Sequence, residues 1–140
     1  MILQRDGRLQ EEIRAHGCYY CCLLFFINKF TNFELSAESI DKGLFKLFVK
    51  RGWLNDKCYV LDPGAILNWG GVKCIYTDKY ETPDRMCGDG EFEILYWRHT
   101  EGGGHFTCGD GHGRCTYDPW GVSKAASEGM LLSKRIFKRI

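Results

Sequence analysis

Residues 17–30, GCYYCCLLFFINKF, read as a helix that is apolar on every side. A helix with no polar face has to be buried, so the rest of the chain must wrap around it. Its longest apolar run, residues 18–27, has ten residues, too short to span a bilayer. The chain has 140 residues, which suits one domain over 1–140 and suffices to bury a core of its own.

Composition narrows the function classes. Hydrophobic residues make up 44% and charged residues 26%, a balance that excludes wholesale disorder. The formal net charge is +1, so no global field draws in nucleic acid or an anionic membrane, and neither is an expected partner. The basic cluster Lys134, Arg135, Lys138 and Arg139 reads as a solvated face. The first residues, MILQRDGRLQEEIR, lack the apolar core of a signal peptide, so a cytoplasmic location, or release by another route, is expected. Three of the eight cysteines, Cys18, Cys21 and Cys22, fall inside the buried helix. That spacing is a poor disulfide framework, and mostly reduced thiols acting as small core residues are expected.

The first half is helical in pattern and the second half is strand-like. Ser36 reads as the cap of a second helix with Ile40, Leu44, Leu47 and Phe48 as its buried stripe and Gly52 as its end. Asp62-Pro63 predicts a capped short helix reaching about Trp69. Residues 72–77, 92–98, 104–109 and 113–118 are predicted strands, and SKRIFKRI at the C-terminus fits a strand or a short helix. Helices first and an antiparallel sheet second is an α+β arrangement.

The chemistry concentrates in two places. Cys18 opens the buried helix just after Gly17, where the helix dipole favours a thiolate and the backbone amide can donate to an oxyanion. Downstream, a hairpin turning at Gly111-His112 sets His105 opposite Asp118 on one face and Cys108 opposite Cys115 on the other. A carboxylate on one ring nitrogen leaves the other nitrogen free as a base. Nucleophile, base and orienting acid in the order Cys18, His105, Asp118 make a candidate catalytic set.

Those segments carry a resemblance. IRAHGCYYCCLLFFINKF resembles the nucleophile helix of papain-like cysteine peptidases, in the branch related to the bacteriocin leader-processing peptidases. GHFTCGDGHGRCTYDPW resembles their histidine strand and returning strand with its Tyr-Asp-Pro ending, and LQRDGR resembles their N-terminal segment with its glutamine. The resemblance implies a papain-like α+β fold whose nucleophile helix packs on the sheet. It implies Cys18 as nucleophile, His105 as base, Asp118 as orienting acid and Gln4 as oxyanion donor, with Gln10 as a rival because such glutamines often stand closer to the cysteine. It departs from the pattern where Tyr19, Tyr20, Cys21 and Cys22 follow the nucleophile in place of small residues. Nothing resembles an attached ATP-binding or membrane domain, so an export-linked role is not expected; the length is nearer small bacterial or phage-encoded members.

The expected function is a cysteine peptidase or amidase acting on a peptide or a peptidoglycan-type amide, with no cofactor and no metal. Three other classes compete. His105-x-x-Cys108 and His112-x-x-Cys115 have zinc-type ligands, although alternation turns His105 and Cys108 to opposite faces. Cys18-x-x-Cys21 resembles a dithiol redox motif but lacks the usual preceding strand. A papain-like scaffold with an idle triad would be a binding module. Trp53, Trp69, Trp97 and Trp120 are candidates for lining a cleft, or for filling the core.

Overall fold

A computed structural model describes residues 1–140. A short helix α1 (Glu11–His16) stops at Gly17, and α2 (Cys18–Thr31) starts at the next residue. Gly17 makes this corner possible: a Cβ there would press on the Ile13 carbonyl oxygen that its own N–H bonds at 2.8 Å. The buried helix expected over 17–30 is therefore α2, with Cys18 as its first residue.

Ser36 caps the next helical stretch, its Oγ accepting from Ser39 N at 3.1 Å. A π-helical turn (Ser39–Leu44) leads into α3 (Phe45–Lys50), and Ile40, Leu44 and Phe48 face inward. In α4 (Pro63–Trp69) the Asp62 carboxylate accepts from Ala65 N at 3.1 Å, and Pro63 takes the first turn.

The second half forms one antiparallel sheet of β1 (Cys74–Tyr80), β2 (Glu91–Arg98), β3 (Gly104–Gly109), β4 (Cys115–Tyr117) and β5 (Met130–Arg139), in the order β1-β5-β2-β3-β4. A last helix, α5 (Lys124–Glu128), lies between β4 and β5 in the chain. The C-terminal segment whose pattern left helix and strand open is thus a strand, and a central one.

Helix α2 packs on one face of this sheet. Phe26 meets Phe92 at 4.7 Å between ring centroids, Phe92 stacks on Phe137 at 5.3 Å, and Phe25 stacks on Tyr117 at 4.5 Å. Cys21, Cys22 and Cys108 are fully buried here, free thiols in the role of small apolar groups. The other face carries Leu95, Trp97 and Ala125, with the Trp97 indole donating to Thr107 at 2.9 Å.

Two expectations are corrected. The hairpin does not turn symmetrically at Gly111-His112. Asp110 closes a longer loop, accepting from the N–H groups of His112 and Arg114, and a bulge follows Cys108. Cys108 therefore stands opposite Tyr117 and Gly109 opposite Cys115, so Cys108 and Cys115 are not a cross-strand pair. Nor is the basic C-terminal cluster wholly solvated. Lys134 is fully buried, with its ammonium 3.3 Å from the equally buried Glu93 and donating to Arg85 O at 2.8 Å. Strand β5 lies between β1 and β2, which turns this lysine inward against β2.

Candidate active site

The extra residues in the hairpin loop shorten β4, which ends at Tyr117 opposite Cys108. Residues 104–107 of β3 are thus left without a partner strand on that side. Past the end of β4 the chain turns through Asp118-Pro119-Trp120, closed by Gly121 N bonding Asp118 O at 2.8 Å. This turn brings Asp118 to His105 even though the two are not register partners.

His105 is fully buried, and its Nε2 lies 2.7 Å from Asp118 Oδ1. The carboxylate also accepts from Trp120 N at 2.9 Å and from the Ser123 hydroxyl on Oδ2. Burial pushes the Asp118 carboxyl up, but hydrogen bonds from His105, Ser123 and the Trp120 N–H outweigh it, and the group titrates below its ordinary value. An ionised acceptor on Nε2 assigns that nitrogen a proton, so in the neutral ring Nδ1 carries the lone pair. The Trp120 ring stacks on the imidazole at 3.6 Å, and the Arg5 guanidinium sits 4.3 Å from the centre of the Trp120 ring.

Three buried polar side-chain atoms have no protein partner: Gln4 Oε1, His105 Nδ1 and Trp120 Nε1. All three belong to residues at this one place. Buried polar groups are satisfied almost everywhere in folded proteins, so a cluster of unsatisfied ones marks a site that holds its polar atoms for something else.

Cys18 opens α2, on the face of the sheet opposite Trp97, the register partner of His105, and His105 itself is not among the walls of the cleft beside Cys18. The chain neighbours of His105, Gly104 and Phe106, line the same cleft as Cys18. Burial pushes the Cys18 thiol up to about 12, against an opposing pull from the backbone N–H groups of Phe106, Tyr19 and Cys18 itself. The helix start was expected to favour thiolate; desolvation overrides it, and the resting group is a neutral thiol. No hydrogen bond joins the sulfur to His105 Nδ1.

The two glutamines are separated by the structure. Gln10 is tied to Asp41, its N–H and side-chain amide both donating there. Gln4 is fully buried at the site: its N–H donates to Pro119 O at 2.9 Å and its Nε2 to Arg14 O at 3.0 Å. An amide NH2 carries two hydrogens, so one remains available.

The other candidate ligands do not converge. Cys108 points into the α2 interface, bonding Cys22 O at 3.5 Å, while His112 and Cys115 are exposed in and after the loop. Cys21 is fully buried behind Cys18. Of the four tryptophans, Trp120 lines a cavity at the site, whereas Trp53 and Trp69 pack on Phe48 at 5.6 and 5.2 Å. Sequence reasoning missed Ser123 and Arg5, which no motif spacing marks. No helix is long and apolar enough to cross a membrane.

The model of a family described as "Protein of unknown function, DUF261" matches residues 1–139. No curated protein and no solved structure matches the chain.

Proposed function

The chain belongs to the DUF261 family of proteins of unknown function, and from its own geometry we propose that it is a cysteine hydrolase of papain-like arrangement that cleaves a peptide or peptidoglycan-type amide. One observation carries this reading. A fully buried imidazole is held by a carboxylate through Nε2, and its Nδ1 is left unpartnered beside the strand whose neighbouring residues line the cleft of a helix-start cysteine.

The cycle follows from the groups present. As an amide substrate enters, Nδ1 of His105 takes the Cys18 proton and the sulfur attacks the carbonyl carbon. The oxyanion is met by the Cys18 N–H at the helix start and by the second amide hydrogen of Gln4. The imidazolium, steadied by Asp118, returns the proton to the leaving amine as the C–N bond breaks. Water, activated by the same imidazole, then releases the acid from the thioester. A neutral resting thiol is compatible with this, because the proton passes to the imidazole as the sulfur attacks and no free thiolate has to accumulate.

A second reading, a papain-like binding scaffold with an idle triad, draws on the same thiol, which is raised to about 12 and not hydrogen-bonded to His105. The two are separated by incubating the protein with a peptide mixture and with peptidoglycan fragments, and reading the products by mass spectrometry. The hydrolase reading expects new termini with wild type and none with Cys18→Ala. Intact substrates in both arms, with the protein folded, contradict it.

A further inference from the structure

The cleft beside Cys18 has a volume of about 420 Å3 and walls of Tyr19, Tyr59, Tyr96 and Phe106. Its lining includes no aspartate or glutamate; the charged group in it is Arg135, with His16 as a second basic residue. Arg135 is half-buried, its guanidinium 5.1 Å from the centre of the Tyr96 ring and 4.8 Å from that of Phe106. It donates to Ser133 Oγ at 2.7 Å. Arg8, Arg85 and Arg114 each pair with a carboxylate; of the six arginines with none within 4.0 Å, Arg135 alone is not exposed.

A guanidinium has five N–H donors in a planar fork, and here the two rings and Ser133 hold that fork in place. An arginine kept partly out of water, without an acid, is arranged to receive one: the ordering cost is already met and the aromatic walls weaken screening. The direction of the substrate follows from the chemistry. The leaving amine takes its proton from the imidazole, so it lies on the His105 side, where Trp120 and Ser123 line a separate, more polar cavity of about 510 Å3. The acyl part then lies on the other side of Gly104, in the aromatic cleft. Gly104 borders both cavities, and a Cβ there would collide with the Tyr96 hydroxyl.

We propose that the aromatic cleft is the acyl-side subsite and that Arg135 makes it select an acyl donor bearing a carboxylate, such as an Asp or Glu side chain. This rests on the reading of Cys18 as nucleophile, and the test keeps the two apart. Two peptidyl chloromethyl ketones differing only in a Glu or a Lys side chain on the acyl portion are compared at neutral pH. In each the sulfur displaces chloride, and the alkylated cysteine is mapped by mass spectrometry. The Glu probe is expected to alkylate Cys18 about tenfold faster than the Lys probe, and Arg135→Gln to abolish the difference. If that variant does not fold, the ranking on the wild-type protein decides. Rapid alkylation of Cys18 at equal rates, or faster with Lys, overturns the role of Arg135 and leaves the nucleophile standing. Alkylation of Cys18 by neither probe, with the exposed Cys115 modified, overturns both.

Discussion

His105 and Asp118 are joined through Nε2 at 2.7 Å, and the other ring nitrogen of the same buried imidazole has no protein partner. The contact ties folding stability to pH. Asp118 titrates below its ordinary value of 3.8 in the folded chain, so its contribution is present above that pH and is lost as the pH falls through the lower, folded value. Urea denaturation at pH 6 and pH 3 should therefore show a smaller acid loss for Asp118→Asn than for wild type. Ser123→Ala, which removes the donor to Oδ2, should fall between the two. Equal acid losses in all three proteins would show that the carboxylate is not held as described.

The hairpin register makes a prediction about thiols. Cys115 is exposed, whereas Cys108 is buried against Cys22 and stands opposite Tyr117. Brief alkylation should modify Cys115 and spare Cys108, and a mild oxidant should form no bond between them. A Cys108–Cys115 disulfide in tryptic maps would restore the symmetric turn and reject the bulge.

The buried Glu93–Lys134 pair crosses from β2 to β5, and Glu93 also accepts from the N–H groups of Gly111 and Gly113 at 3.0 and 2.9 Å. Lys134→Met should destabilise the protein by roughly 3–5 kcal/mol, because it leaves a buried carboxylate without its cation. The double variant Glu93→Leu with Lys134→Met should regain part of that loss. A neutral Lys134→Met in chemical denaturation would mean that the lysine reaches water after all.

What the sequence revealed and what it hid divide along the range of the interactions. Helix α2, the Ser36 and Asp62 caps and strand β3 were legible because apolar pattern and cap residues act locally. The His105–Asp118 pair was anticipated from a hairpin of the wrong register: a bulge and an Asp110-closed loop shift the strands, and the turn after β4 restores the contact. No alternation rule encodes that compensation. The burial of Lys134 was hidden because nothing in SKRIFKRI says that β5 enters the middle of the sheet. Helices α1 and α5, of six and five residues, are too short to show a period. The Cys18 thiol was misjudged because a helix dipole can be read from sequence and desolvation cannot.

The central claim is that His105 Nδ1 serves as the base for Cys18, and the pH dependence of Cys18 alkylation tests it most directly. Iodoacetamide labelling of Cys18 is followed by mass spectrometry from pH 6 to pH 9 in wild type and His105→Ala, both carrying Cys115→Ser. Base assistance by the imidazole predicts that wild-type labelling falls less steeply with pH than the variant's, which loses about tenfold per pH unit because a desolvated thiol raised to about 12 is left with no base to take its proton. Parallel tenfold-per-unit declines in both proteins would contradict the claim and leave Cys18 a structural thiol.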